Sequence, residues 1–227
     1  MLYTPGFAMI ALTFILCLST YLVAGIPFGV IVGHFYSGTD IREVGSGNIG
    51  STNAMRAGGP KAGVVTLLFD SLKGLVPVVL ARAILQLTVF ADNPALIQPG
   101  GSLDFLIALV AASALCGHIF SPYLHFKGGK GIATGLGVCI GWHPAFGFSL
   151  LIPFLIGVGL TKYVSVGSIM AALSMPILLS LFDPATTLAT KLLFTAMGLL
   201  CVWAHRSNIK KLRNGTESKL SFGPKTK

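Results

Sequence analysis

The sequence predicts an all-α polytopic membrane protein, and three observations carry that prediction. Hydrophobic residues make up 53% of the 227-residue chain and charged residues only 10%, where a soluble domain carries roughly 25% charge. The apolar residues fall in long runs, at 7–33, 62–91, 103–124, 131–160, 163–182 and 184–204, each near or above the roughly 20 residues a helix needs to cross a bilayer. The cationic side chains collect between the runs. Of the 16 lysines and arginines, all but Lys73, Arg82 and Lys191 lie in the breaks or the tail. Runs of this length mean helices, because only helices and closed barrels satisfy their backbone polar groups in lipid. The net charge of +9 is distributed along run ends and not over a soluble basic face, which argues against nucleic acid as a partner.

The first run, 7–33, precedes every charged side chain, the first being Asp40. It lacks the basic region of a signal peptide and reads as a retained span. Its Gly25, Gly29 and Gly33 have the spacing of a close helix-packing face. The break at 36–61 carries Arg42, Arg56 and Lys61. In the second run Asp70 and Lys73 stand three apart on one helix face, most simply a structural ion pair within the membrane. Arg82 is expected near the opposite surface. The break at 92–102 holds only Asp92. Toward the end of the third run lies His118, read as a hydrogen-bonded core histidine, and the break at 125–130 adds Lys127 and Lys130.

The fourth run, 131–160, would reach about 45 Å as one helix, long for a single crossing. It also contains Trp142-His143-Pro144, a natural break. Charge parity selects the broken form. One helix would put Lys162 and the tail opposite the other basic loops, whereas two helices bring every basic segment to one side. The prediction is therefore seven transmembrane helices with a short 131–143. The N-terminus lies outside, and the glycine-rich loops and basic tail 205–227 are cytoplasmic. Gly131, Gly135, Gly137 and Gly141 supply a second close-packing stripe. Cys17, Cys116, Cys139 and Cys201 all sit inside apolar runs with no C-x-x-C pair and read as small core residues. The whole chain, 1–227, forms one membrane-embedded domain.

Three loops carry the chemistry. The first, GSGNIGSTNAMRAGGPKAG at 45–63, sets Gly45, Gly47 and Gly50 among Ser46, Asn48, Ser51, Thr52, Asn53 and Arg56. Glycines let backbone N–H groups approach an anion, and the hydroxyls, amides and guanidinium add donors. A helix starting near Ser51 would aim its N-terminus at the same anion. GSGNIG formally matches G-x-G-x-x-G, but a membrane span precedes it where a dinucleotide fold needs a strand. The second loop, GHIFSPYLHFKGGKGIATG at 117–135, presents Lys127, Gly128, Gly129 and Lys130. It is not a Walker A loop, because no Ser or Thr follows Lys130. The third, HRSNIKKLRNGTE at 205–217, puts His205 and Asn208 on one helix face. Lys210, Lys211 and Arg213 there read as lipid-surface anchors, and Glu217, the tail's only acid, as a partner for a neighbouring base.

In order and spacing these segments resemble the bacterial acyl-phosphate:glycerol-3-phosphate acyltransferases of the PlsY type. The resemblance rests on SGNIGSTNAMRAGGPKAG, D-S-L-K-G at 70–74, GHIFSPYLHFKGGKGIATG, and H-R-x-N-I-x-x-L-x-x-G-x-E, and covers nearly the whole chain. Ser51 stands where the family more often has alanine, and Ser121-Pro122-Tyr123 replaces its usual Phe-Pro. The resemblance implies acyl transfer from acyl phosphate to the 1-hydroxyl of glycerol 3-phosphate, giving lysophosphatidic acid and phosphate, the first step of phospholipid biosynthesis. It also implies seven spans in the bacterial inner membrane, with the site at the cytoplasmic face.

The resemblance assigns catalytic or phosphate-holding roles to Ser46, Asn48, Arg56, Lys127, Lys130, His205 and Asn208, with Gly128 and Gly129 keeping backbone close to the ligand. Gly47, Thr52, Asn53 and Glu217 complete the expected binding set. No cofactor or metal is expected, since an acyl phosphate is already activated and the H-x-x-x-x-D motif of other glycerophosphate acyltransferases is missing at all five histidines. The partners expected are the two substrates and membrane lipids, with the protein a monomer. An organic-phosphate transporter is the alternative, but the polar residues gather at one surface without a visible repeat.

Overall fold

The computed structural model describes residues 6–220, which form ten α-helices and three short 3-10 turns. The first apolar run is two helices, α1 (Phe7–Gly25) and α2 (Phe28–Ser37), broken at Ile26-Pro27. Next come α3 (Ser51–Thr88) and α4 (Phe105–Ile119). The fourth run gives α5 (Ile132–Trp142), α6 (Pro144–Ser149) and α7 (Leu151–Thr161), followed by α8 (Val164–Phe182), α9 (Leu188–Ala204) and α10 (Arg206–Arg213).

Among the described residues, five stretches are long and apolar enough to cross a membrane: Phe7–Ser37, Ser51–Thr88, Phe105–Leu124, Pro144–Thr161 and Val164–Phe182. A sixth arises if α9 and α10, bent by 52°, count as one broken span. The protein is thus a multi-pass helical membrane protein. The remaining member of the expected seven, α5, is apolar but only 11 residues long. The break falls where the sequence places it: His143 is extended at φ −151° and ψ 114°, and Pro144 begins the next helix, a position where its missing N–H has no helical partner to lose.

Helix α3 starts at Ser51, where the sequence allows a helix to begin. The segment 36–61 is helical at both ends, because α2 runs to Ser37 and α3 begins at Ser51. The continuous α3 is kinked at Gly59, whose φ of 81° precedes Pro60. A residue before proline is disfavoured in the α region, so the first turns of α3 lean away from the rest.

The interior is built on close backbone approaches. A Cβ at Gly137 would overlap the Ser71 carbonyl oxygen, and one at Gly74 the Thr134 carbonyl oxygen, so α3 and α5 cross in near backbone contact. Lipid offers no hydrophobic gain for helix association, so such small-residue contacts carry it. The Gly25–Gly29–Gly33 stripe also packs closely, chiefly against the connecting segments. Gly29 lies under the Ile49 carbonyl, Gly33 under Ile41, and Gly25 against Pro122. That stripe therefore seats the first and second loops on α1 and α2. Helix α4 is the most buried span, packing Ile107, Ala108, Ala111 and Ala114 into the core.

The Asp70–Lys73 pair forms at 2.8 Å with both side chains 2% exposed. Lys73 also donates to the Ile26 carbonyl at 2.7 Å. That carbonyl lies at the α1–α2 break, where Pro27 interrupts the helical ladder. At the end opposite the glycine-rich loops, Asp104 accepts from Gly100 N, Thr187 N, Thr187 Oγ1 and Thr190 Oγ1. Arg82, placed at this end as expected, donates to the Trp142 carbonyl, and Trp142 Nε1 donates to Asp183.

Candidate active site

The three loops and the start of α8 enclose one cavity of about 320 Å³. Its first wall is the turn leading into α3. Gly45 and Gly47 are left-handed, with φ 59° and 70°, a conformation that side chains resist. The Asn53 side chain fixes this turn from inside. It accepts from Ser46 N at 2.9 Å and donates to the Ile41 carbonyl at 2.6 Å. Asn48 closes the next turn by accepting from Gly50 N at 2.9 Å. Helix α3 then starts at Ser51 with no side-chain cap, which leaves its first N–H groups and the positive end of its dipole at the cavity. Thr52 lines it from the first turn and Arg56 from the second.

The second wall is the lysine loop after α4. Gly128 N donates to the Ile119 carbonyl at 2.9 Å and Gly129 N to the His118 carbonyl at 3.1 Å. A Cβ at Gly129 would overlap the His118 ring. The amides of the two glycines are thus spent on seating the loop against the end of α4. Together with Lys127 they line a second, smaller cavity of about 270 Å³ that shares Asn48 and Lys130 with the first. Lys130, between the two, faces both. Burial pushes its ammonium down to about 8, with Lys211 and Arg56 lowering it further and Glu217 opposing.

The third wall is the α9–α10 bend. His205 and Asn208 are both buried and both line the main cavity. His205 Nδ1 lies 2.7 Å from the Cys201 carbonyl. A carbonyl can only accept, so Nδ1 carries the proton and Nε2 is the free acceptor. Asn208 Nδ2 donates to Glu217 Oε1 at 2.7 Å, and Ser165 Oγ donates to the same oxygen at 2.9 Å. Glu217 is therefore held by an amide and a hydroxyl, which corrects its expected pairing with a base.

Ser46, Asn48, Thr52, Asn53, Arg56, Lys130, His205, Asn208 and Glu217 all border the main cavity. Lys127, Gly128 and Gly129 do not, and Gly47 borders neither cavity, its N–H donating to the Val44 carbonyl. Sequence reasoning missed Ser165 and Ser168, whose run reads as span interior. It also missed Lys211, taken for a lipid anchor, which lines the cavity beside Asn208. His118 is buried as expected, but its Nδ1 has no hydrogen-bond partner and stands 3.8 Å from Asp70 Oδ1. Asp70 and His118 both reach the cavity wall.

Below this polar mouth the lining turns apolar, with Leu67, Leu136, Leu150, Phe154 and Met175. From Ser165 to Met175 along α8 is ten residues, about 15 Å of depth. The cavity can thus take an anionic head at the mouth and a hydrocarbon chain below. Among the described residues no carboxylate lies within ion-pair distance of Arg56, Lys130 or Lys211.

The chain is similar to known proteins over most of its length. Residues 14–215 match the family model of glycerol-3-phosphate acyltransferase. The glycerol-3-phosphate acyltransferase of Geobacter sulfurreducens is 40% identical over 205 residues, covering 90% of this chain and 96% of its own. That of Trichlorobacter lovleyi is 41% identical over 201 residues, covering 88% and 93%. The crystal structure of PlsY (YgiH), an integral membrane glycerol 3-phosphate acyltransferase, matches in its glycerol 3-phosphate form with a TM-score of 0.78 at 30% identity, covering 92% of this chain and 96% of that one. Its lysophosphatidic acid form matches with a TM-score of 0.76 at 28% identity over the same shares. With the family model spanning most of its length, the chain belongs to the glycerol-3-phosphate acyltransferase family.

Proposed function

We propose that the chain transfers an acyl group from acyl phosphate to the 1-hydroxyl of glycerol 3-phosphate, releasing lysophosphatidic acid and inorganic phosphate. The observation that carries this reading is the main cavity, which joins a mouth whose cations have no ion-pair partner among the described residues to an apolar floor. A phosphate-headed acyl donor matches both halves. In the reaction the 1-hydroxyl oxygen bonds to the acyl carbon, the bond from that carbon to the phosphate oxygen breaks, and the hydroxyl proton leaves on the departing phosphate. The chain's own contribution is to hold two anions and align hydroxyl with acyl carbon. Arg56, Lys130 and the N-terminus of α3 neutralise phosphate charge, and Ser46, Asn48 and Thr52 add donors at the loop. Lys127 serves the second cavity, where the released phosphate has a basic way out.

In this reading the basic loops and the tail from 205 onward face the cytoplasm, and α5 completes seven spans as a short, partly sunken helix. The enzyme works as a monomer in the bacterial inner membrane. Purified protein in detergent is expected to release phosphate from palmitoyl phosphate only when glycerol 3-phosphate is present, without added metal or nucleotide. Phosphate release that ignores glycerol 3-phosphate, or none at all, overturns the proposal. Flux of an organic phosphate across sealed vesicles without acyl transfer favours the transporter reading instead.

A further inference from the structure

Glu217 is an acid placed in a site for anions, and its contacts explain why. It lies on the segment after α10, which is tied across the start of α8. Leu220 N donates to the Lys162 carbonyl at 2.8 Å, and the Lys219 ammonium stands 5.8 Å from the Tyr163 ring centroid. Glu217 Oε1 takes hydrogen bonds from Asn208 Nδ2 and Ser165 Oγ, at 2.7 and 2.9 Å. A carboxylate has no proton to give, so Asn208 must turn its NH2 toward Glu217. Its Oδ1 is then an acceptor, and that atom is buried without a partner in a residue that lines the cavity. Three residues earlier His205 is arranged alike, with Nδ1–H given to Cys201 O and Nε2 left to accept.

Two acceptors on consecutive turns are unsuited to phosphate oxygens, which are acceptors themselves. They suit hydroxyl groups. Because an amide oxygen is a poor base, Asn208 fits a hydroxyl that binds without reacting. We infer that Asn208 Oδ1, oriented by Glu217 and Ser165, accepts a hydrogen bond from the 2-hydroxyl of glycerol 3-phosphate, and so selects a vicinal diol phosphate as acyl acceptor. This rests on the acyl-transfer reading above. Asn208 is a binding residue here, while Glu217 and Ser165 are positioning residues that act through it.

The test compares glycerol 3-phosphate with 3-hydroxypropyl phosphate, which keeps the phosphate and the primary hydroxyl but lacks the 2-hydroxyl. With the full-length protein and palmitoyl phosphate, wild type is expected to favour glycerol 3-phosphate in kcat/KM by about 10- to 100-fold, the effect of one unmet buried acceptor. Asn208→Ala and Glu217→Ala should each bring that ratio close to unity. Glu217→Gln, whose amide oxygen still accepts from both neighbours, should keep it. The ratio is independent of the fraction of enzyme that folds, so destabilised variants still report. For variants too slow to assay, thermal stabilisation by each phosphate in detergent ranks the two ligands without turnover. An active wild type without the preference, or a Glu217→Ala variant that slows equally with both acceptors and keeps the preference, overturns the assignment alone. A wild type active with neither acceptor removes the acyl-transfer reading, and this assignment with it.

Discussion

The two ends of the helix bundle solve the same problem in opposite ways. At one end Asp104 is buried among two backbone N–H groups and the hydroxyls of Thr187 and Thr190, so its charge is met entirely from within the chain. At the other end Lys130, Arg56 and Lys211 converge on a cavity with no carboxylate within ion-pair distance among the described residues, and Asn208 Oδ1 has no partner. A saturated polar cluster is a rivet. An unsaturated one is a binding site, because only a ligand completes it. Burial alone does not separate the two. The Asp70–Lys73 pair is more deeply buried than Lys130, and its Asp70 borders the same cavity, yet its two charges meet each other and the Lys73 ammonium also meets the Ile26 carbonyl.

That contrast can be broken most forcefully at the closed pair. Asp70→Leu strands the Lys73 ammonium in the membrane interior and is expected to destabilise the protein by ~3–5 kcal/mol, seen as early thermal unfolding in detergent. Asp70→Leu combined with Lys73→Met should recover much of that loss, and failure to recover would mean that the pair does more than close on itself. At the open end the expected loss is functional. Lys130→Ala should lower kcat/KM by about 10²- to 10³-fold, the effect of one removed charge-stabilising donor, with an unchanged melting profile. His205→Ala should retain far more activity and keep the shape of the pH profile, since the proton leaves on phosphate. Loss of a pH limb with that variant would assign the proton to His205.

The mirror experiment sits at the far end. Asp104→Asn should reduce stability by ~1–3 kcal/mol through its broken hydrogen bonds while leaving kcat unchanged. A fall in turnover there would erase the distinction between rivet and site. The gentlest probe is pH. Lys130 works as a cation, and its ammonium is held down to about 8 by burial. Charge, and with it kcat/KM, is therefore present below about 8 and lost as pH rises through that value. Lys130→Arg, which stays charged, should move the alkaline limb upward.

Much of the fold was legible in advance because the bilayer makes strong demands. Long apolar runs must be helices, and Trp142-His143-Pro144 marked the interruption at His143 without any contact information. A helix start near Ser51 was legible, but the kink at Gly59-Pro60 was hidden. So was the partner of the Gly25–Gly29–Gly33 stripe, which packs chiefly on Ile41, Ile49 and Pro122 of the connecting segments where a helix was expected. In the site, Ser46, Arg56 and Lys130 stood out because many donors with few acids is an unusual pattern. Ser165 and Lys211 did not, since a serine in a span and a lysine in a basic tail have common structural roles.

The sequence by itself determined that this chain is a bundle of membrane helices joined by polar, basic segments, because hydropathy and charge act locally and are written residue by residue. Only the tertiary structure decided which donors remain free. Gly128 and Gly129 spend their amides on the end of α4, Asn53 on its own loop, and Glu217 fixes Asn208 so that its oxygen is the atom left over. Whether a polar group is a rivet or a ligand contact depends on its neighbours across the fold, and those are separated in sequence by more than any local pattern can read.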